Sequence, residues 1–176
     1  MSELYDQIIS QRGSLEKLVA RIPGFSGYID NKARRTADRM LRDYIAGEIS
    51  RRIDRFKKIE KSLLEDTGLT YMSKTAAVKA KLQLFHDKLR AEAPGYSGFF
   101  DAIKIGPEEM DKLYSFDEAL IRYADRFDEV LDKLDQSASE KSDVENALAE
   151  VDKAAGEAID ALSLREDVLT NLGKGV

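Results

Sequence analysis

The chain has 176 residues, of which 43% are hydrophobic and 35% charged, with a net charge of −5 at pH 7. This balance argues against an intrinsically disordered or membrane-spanning chain. The chain has no cysteine, which excludes disulfides, thiolate nucleophiles and cysteine metal ligands, and it has one histidine, His86. The three prolines are separated by long stretches rich in helix-forming residues, so the sequence predicts an all-α fold.

The first predicted helix covers about residues 2–22 and ends at Pro23, because a residue before proline is disfavoured in the helical region. A second helix is predicted over about 30–66, where apolar residues step by three or four and Gly68 follows as a stop signal. At 1.5 Å per residue this helix would be roughly 50 Å long. A compact bundle of this mass needs less, so we expect part of the helix to project or to pair with a second subunit.

Three further helices are predicted at about 73–92, 108–135 and 142–172. Pro94 ends the first of these. Pro107 lies at the start of the second, where the N–H that proline lacks would make no hydrogen bond within the helix. The last helix begins with a capping box formed by Ser142 and Glu145. Its apolar seam is rich in alanine, which predicts the close approach of a neighbouring helix.

A short pattern occurs twice, at an offset of 71 residues. Residues 23–27 read Pro-Gly-Phe-Ser-Gly and residues 94–98 read Pro-Gly-Tyr-Ser-Gly, while the Asp-Arg-Phe of 54–56 recurs at 125–127. Two matches in one register predict a tandem duplication of a helical hairpin. We therefore predict a single domain over 1–176. It consists of repeat 1 at about 1–71, repeat 2 at about 72–142 and a closing helix at about 142–172. Because each hairpin must bury an apolar stripe of the coiled-coil kind, we expect an elongated antiparallel bundle of about five helices.

The repeated turns could act as hinges or as a binding site. The residues that mark them are Pro23, Gly24, Phe25, Gly27 and Tyr28 in the first copy and Pro94, Gly95, Tyr96, Gly98 and Phe99 in the second. Glycine permits backbone angles that other residues avoid, and the aromatic side chains could plug the end of a bundle. A glycine loop before a helix can also hold an anion, but the phosphate-loop signature with its lysine is absent. We therefore interpret the turns as hinges of a copied hairpin.

The two long helices of the repeat have opposite charge. Residues 31–61 contain eleven basic and five acidic residues, a net charge of +6, whereas residues 108–135 contain four basic and ten acidic residues, a net charge of −6. The candidate basic face consists of Arg34, Arg35, Arg39, Arg42, Arg51, Arg52 and Arg55, and the candidate acidic face of Asp125, Asp128, Glu129 and Asp132. Three arrangements are open: pairing within one subunit, pairing between subunits, or binding of the basic face to an external anion.

No pattern typical of catalysis or metal binding is present. Carboxylate metal sites in helical bundles use Glu-x-x-His pairs, but the residue three positions before His86 is Gln83. The spacing of an EF-hand loop is absent, and no nucleophile has a base and an orienting acid in a recognisable motif. We therefore predict no enzyme activity, no cofactor and no metal.

The leading hypothesis is a cytoplasmic, non-enzymatic bundle that works by protein–protein contact, as an adaptor, a scaffold or a self-assembling subunit. The alternative is peripheral binding to an anionic membrane or a nucleic acid through Arg34, Arg35, Arg39 and Arg42. The last three of these are spaced to follow phosphates along one helical face. A net charge of −5 is opposite to the usual footprint of a nucleic-acid-binding protein. The sequence does not specify the partner, the oligomeric state or any small-molecule ligand.

Overall fold

The protein was analysed as a computed structural model that describes residues 3–11, 15–91 and 105–174. These residues form six α-helices and one short 3-10 helix, with no strand among them. The helices are α1 (Glu3–Ser10), α2 (Leu15–Arg21), the 3-10 helix (Asn31–Ala33), α3 (Arg34–Thr67), α4 (Met72–Arg90), α5 (Pro107–Glu140) and α6 (Val144–Lys174). The predicted all-α class is confirmed. Within the described ranges, no helix is long and apolar enough to cross a membrane.

Two helix boundaries differ from the sequence-based prediction. The first predicted helix is divided into α1 and α2, and the stretch between them that includes Gly13 lies outside the described residues. The fourth predicted helix continues to Glu140 instead of ending near residue 135, because Ala138 is buried and Lys141 adopts the left-handed conformation that ends the helix.

Four long helices form the core, and they pack as two antiparallel hairpins. α3 packs against α4 and α5, and α6 packs against the same two helices, so the four helices form a ring. The short turns at 68–71 and 141–143 make α3–α4 and α5–α6 antiparallel pairs. The rings of Phe85 and Phe127 approach to 6.2 Å across the interior, joining the diagonal pair α4 and α5. The short helices α1 and α2 lie on the outside of α5, and α1 also contacts α6.

Between the two hairpins, however, neighbouring helices run in the same direction. Arg52 and Arg55 of α3 bind Asp128 and Asp132 of α5, so residue numbers rise together along both helices. α4 and α6 show the same register through Lys81–Asp152, 2.9 Å, and Lys74–Glu145. The predicted antiparallel arrangement therefore occurs within each hairpin but not between hairpins. The physical reason is that α5 starts from the end of the bundle where α3 also starts.

The apolar seams of the sequence form the core. Phe56, Phe85, Phe116 and Phe127 are fully buried, and the alanine-rich seam of α6 includes Ala155 at full burial. Burying a large apolar side chain of this kind contributes about 1.5–3 kcal/mol. The four long helices are therefore held mainly by a continuous apolar interior.

Gly47 provides a simple test of the helix assignment. It lies in the middle of α3 on the exposed side, and a methyl group added there would meet no atom within 4 Å. Because glycine costs about 0.5–1 kcal/mol relative to alanine inside a helix, we expect Gly47→Ala to raise the free energy of unfolding by about that amount. Urea denaturation followed by circular dichroism measures the change. A decrease in stability would contradict the described environment of Gly47.

Candidate functional site

The basic face of α3 and the acidic face of α5 meet within one chain. Arg52 donates to the Asp128 carboxylate at 2.7 Å and to the carbonyl of Ala124 at 3.0 Å. One turn further along, Arg55 donates to Asp132 at 2.6 Å. Of the three arrangements that the sequence left open, the structure therefore contains pairing within the subunit.

The remaining predicted acidic residues also have partners in the chain. Asp125 accepts two hydrogen bonds from the Arg21 guanidinium of α2, at 2.8 and 2.9 Å, and these bonds hold the pKa of Asp125 below its ordinary value. Glu129 lies 3.4 Å from Arg126 on its own helix. The acidic face thus helps to hold α2 and α3 against α5.

The other predicted arginines divide into buried and exposed groups. Arg34 and Arg42 are buried and cannot form part of an external surface. Arg51 is exposed and pairs with Glu48 on its own helix. Arg35 and Arg39 are exposed near the start of α3. The seven arginines therefore do not form one continuous face.

A buried polar network lies at the end of the bundle where α3 begins. Arg165 of α6 is fully buried and donates to Asp117 of α5 at 2.6 Å and to Asp38 of α3 at 2.7 Å. The Tyr28 hydroxyl donates to the second oxygen of Asp117 at 2.8 Å. Arg42 donates to the second oxygen of Asp38 at 2.8 Å. Two carboxylates, two guanidinium groups and one phenol are thus joined by short hydrogen bonds.

The same network fixes the first repeated turn and the end of α4. The Arg42 guanidinium donates to the carbonyl oxygen of Leu89, at 3.0 Å, in the last turn of α4. Arg34 donates to the backbone carbonyl of Tyr28, at 2.8 Å, while the backbone N–H of Tyr28 donates to the hydroxyl of Tyr114 at 3.1 Å. The rings of Tyr28 and Tyr114 stack with centroids 5.6 Å apart. One turn and four helices are therefore connected through these side chains.

The first repeated turn is a packed structural element. Phe25 and Tyr28 are buried, and Gly24 and Gly27 have positive φ angles of 79° and 86°. Pro23 directly follows Ile22, which is buried. The marker residues of the second turn, at positions 94–99, lie outside the described residues.

The electrostatics of the network are those of a structural cluster. Burial raises the pKa of Asp117, although the Arg165 guanidinium acts in the opposite direction. Burial also raises the pKa of Tyr28 well above its ordinary value, so the phenol stays protonated and acts as a donor. Among the described residues, no group of three or more histidine, aspartate or glutamate side chains is arranged to hold a metal ion. The network therefore orders the end of the bundle, and its fully buried groups are not positioned to meet a substrate.

Sequence reasoning missed this network, although one signal was present. Arg165 occupies a position of the α6 seam, between Leu162 and Leu169, which are both buried. A charged residue on an apolar seam indicates a buried partner of opposite charge, because an unpaired buried charge is too costly. Asp117, directly after buried Phe116, gives the same indication.

A groove of about 570 Å³ lies between α1, α5 and α6. Its walls carry both charges, and its cations are engaged with carboxylates, as in Arg122–Glu118 at 3.3 Å and Lys133–Glu150 at 3.1 Å. Tyr123 lines the groove, and burial raises its pKa to about 12. Among the described residues that line the groove, every arginine and lysine lies within 4 Å of a carboxylate, so these residues offer no unneutralised cluster of charge.

A different feature stands out on α4, whose solvent side is uncharged over three turns. We call this surface the outward face of α4; its exposed residues are Met72, Ser73, Ala76, Ala77, Ala80, Gln83 and Leu84, of which all but Ser73 and Gln83 are apolar. Met72 is 56% exposed and Leu84 47%, and Leu69 in the preceding turn is 70% exposed. Most of the large hydrophobic side chains that the described residues expose lie on the α3–α4 hairpin. Exposed hydrophobic residues that gather on one side of a helix are typical of a contact surface.

Three lysines of α4 form ion pairs with the neighbouring helices, and one of them, Lys74, pairs with Glu145 of α6. Lys79 binds Glu60 of α3 at 2.7 Å, and Lys81 binds Asp152 of α6 at 2.9 Å. Between these ion pairs lie two shallow grooves, of about 320 Å³ along α3 and about 300 Å³ along α6. The outward face of α4 is therefore a mainly apolar strip between two grooves, and ion pairs within the chain flank it on both sides.

Comparison of this chain with protein-family models, curated proteins and solved structures found no match.

Proposed function

We propose that this chain is a non-enzymatic helical-bundle protein that works by protein–protein contact, as an adaptor, a scaffold or a self-assembling subunit. Its contact surface is the outward face of α4. The observation that carries the proposal is the exposure of Met72 and Leu84 along one uncharged strip of a chain in which 35% of residues are charged. Water contact with such a strip is unfavourable, and burial against a partner removes that cost.

The solvent sides of α3 and α5 differ from that of α4, because they carry charged residues. The solvent side of α3 carries charged residues such as Arg39, Asp43 and Lys58, all exposed. The solvent side of α5 carries Glu129 and Asp132 in the same way. Charged faces of this kind keep a helix in water, so α4 is the long helix whose surface most needs a partner.

The oppositely charged faces have a role inside this proposal that differs from the one expected from sequence. Their pairs, such as Arg52–Asp128 and Arg55–Asp132, set the register of the two hairpins. A largely exposed ion pair such as Arg55–Asp132 contributes at most about 1 kcal/mol, so the apolar interior provides most of the stability. Binding of an anionic membrane or polynucleotide would depend on Arg35 and Arg39, because Arg34 and Arg42 are buried.

The proposal includes a tandem duplication as the origin of the two hairpins and a cytoplasmic location. Helices α3 and α5 are both 34 residues long. Buried positions of the two helices share the sequence offset of 71 residues, as in Ile45/Phe116, Ile49/Leu120, Phe56/Phe127 and Leu63/Leu134. This agreement in register supports the copied-hairpin origin that the repeated turns predict.

The experiment that tests the proposed function compares two glutamate substitutions. Leu84→Glu places a charge on the outward face of α4, whereas Val19→Glu replaces a similarly exposed hydrophobic residue on α2 and serves as the matched control. We expect proteins captured by the tagged wild type from the source cells to be lost with Leu84→Glu and retained with Val19→Glu. Quantitative mass spectrometry measures the captured amounts. Equal recovery with all three chains would contradict the proposal.

A further inference from the structure

The groove of about 320 Å³ between α3 and α4, which we call the α3–α4 groove, has its charged residues at one end. Lys57, Glu60 and Lys61 of α3 line this end. Lys79 of α4 lies opposite them and binds Glu60 at 2.7 Å. With three lysines and one glutamate, the charged end of the groove has a net charge of +2.

The other end of the α3–α4 groove is uncharged and mainly apolar. Near the turn that joins the two helices, the groove is lined by Leu63, Leu64, Tyr71, Met72, Thr75 and Ala76. Gly68 leaves this end open, because a methyl group added there would meet no atom within 4 Å. From Lys57 to Gly68 the helix α3 and its cap advance by about 16 Å, at 1.5 Å per residue. The groove is therefore amphipathic along its length.

The lysines at the charged end differ in how they are engaged within the chain. Lys79 is held by Glu60, and Lys61 lies 3.9 Å from Glu65 in an exposed pair, of the kind that contributes little. Lys57 is exposed, and among the described residues no carboxylate lies within 4 Å of its ammonium group. An anion beside Lys57 would therefore meet a cation without displacing an ion pair of the chain.

We propose that the α3–α4 groove binds a single-chain anionic amphiphile, an alkyl chain that carries one carboxylate. The alkyl chain lies against Leu64, Met72 and Ala76, where contact with the groove removes it from water. The carboxylate lies beside Lys57, at the end of the groove with positive charge. A mainly apolar lining with a few polar groups is typical of small-molecule sites, which have volumes from roughly 300 Å³ upwards.

The α3–α4 groove is a site distinct from the protein contact proposed for α4, and it needs no partner protein. Met72 and Ala76 belong to both surfaces, so a bound amphiphile alters the outward face of α4. Leu84 does not line the groove. Leu84→Glu therefore tests the protein contact and leaves the amphiphile site intact, and the two proposals fail separately.

The first test compares the affinities of three soluble probes by isothermal titration calorimetry, below their micellar concentrations. We expect dodecanoate to bind with one-to-one stoichiometry and more tightly than dodecyltrimethylammonium, although the chain has a net charge of −5. Decanoate lacks two methylene groups and is expected to bind about four- to fifteenfold more weakly than dodecanoate. Equal affinity for the anionic and the cationic probe would overturn the role of the lysine end.

Two matched pairs of variants locate the site. Ala76→Trp fills the α3–α4 groove, whereas Ala77→Trp places the same side chain on the groove along α6. Lys57→Gln removes the cation, whereas Lys58→Gln removes an exposed lysine outside the groove. We expect the Kd for dodecanoate to rise by about tenfold or more with Ala76→Trp and by about two- to fivefold with Lys57→Gln. Circular dichroism confirms that each variant is folded.

The control variants and two further ligands make the proposal falsifiable. Ala77→Trp and Lys58→Gln are expected to bind dodecanoate with the affinity of the wild type. No binding of dodecanoate, or equal losses with Ala76→Trp and Ala77→Trp, would overturn the site. Binding of phosphatidylglycerol vesicles or of an acidic amphipathic peptide, without binding of dissolved dodecanoate, would overturn the single-chain amphiphile as the ligand.

Discussion

Replacement of Arg165 by methionine is expected to lower the free energy of unfolding by about 3–5 kcal/mol, the cost of breaking a buried ion pair from one side. Arg165 is fully buried and binds both Asp38 and Asp117. Methionine fills similar space but leaves Asp117, which is buried, without this cation, although the hydrogen bond from Tyr28 remains.

The loss should depend on pH in a defined direction. Burial already raises the pKa of Asp117 in the folded state, and removal of the guanidinium raises it further. A carboxyl group whose pKa is higher in the folded than in the unfolded state destabilises the fold above that pKa and is relieved by protonation below it. The deficit of Arg165→Met is therefore expected to shrink as the pH falls from about 7 towards about 5.

Urea denaturation of wild type and variant at both pH values measures this effect. Arg39→Met is the matched control, because Arg39 is an exposed arginine of α3 and surface substitutions usually change stability by less than about 0.5 kcal/mol. A loss below about 1 kcal/mol for Arg165→Met, or a loss that grows on acidification, would contradict the described network.

Gly27→Ala is the second substitution with a large expected effect. Gly27 has a φ of 86°, and a methyl group there would lie 2.5 Å from the Tyr114 hydroxyl and 2.9 Å from Leu15 Cδ1. The left-handed backbone costs a non-glycine residue roughly 1–2 kcal/mol, and the clash adds a repacking cost of similar or larger size. We expect the free energy of unfolding to fall by about 2–4 kcal/mol in total. Part of this loss arises because the Tyr114 hydroxyl must move away from the N–H of Tyr28, from which it accepts a hydrogen bond.

Gly68→Ala separates the two contributions to this loss. Gly68 also has a positive φ, of 62°, but an added methyl group meets no atom within 4 Å. It therefore reports the backbone cost without the clash. Thermal and urea denaturation of both variants should show Gly27→Ala to be the more destabilised, and the reverse order would contradict the close packing of Gly27 against Tyr114 and Leu15.

Much of the fold follows from local sequence patterns. The steps of three and four between apolar residues predicted α3, α4, α5 and α6, and seam residues such as Ile49, Leu82 and Val151 are buried as expected. Periodicity reports which side of a helix is apolar, but it does not report the direction in which the next helix returns. The parallel packing of the two hairpins could not be predicted for this reason.

The charged residues show a second limit of sequence reasoning. The spacing of the arginines predicts that Arg42 lies on a surface that follows phosphates, yet Arg42 directly follows the buried Leu41 and is itself buried. A shift of one position along the helix turns a side chain by about 100°, which decides whether a long arginine side chain reaches solvent or the interior. The spacing of the arginines along α3 therefore does not show which of them are exposed and which are buried.

The outward face of α4 was overlooked because its signal overlaps that of the core. The seam through Val78 and Leu82 accounts for the buried side of the helix. Met72, Ala80 and Leu84 form a second apolar stripe on the same helix, and the two stripes cannot both face one core. A helix with two such stripes indicates a core contact and a further contact surface.

Photo-cross-linking in the source cells tests the central claim most directly. A benzophenone-bearing amino acid is placed at Ala80, in the outward face of α4, or at Gly47, an exposed helical position on α3 that serves as the control. The proposed contact surface predicts a discrete cross-linked product, to a second copy or to another protein, from position 80 and none from position 47. The same set of products from both positions, or products from position 47 alone, would contradict the assignment of the contact surface to α4.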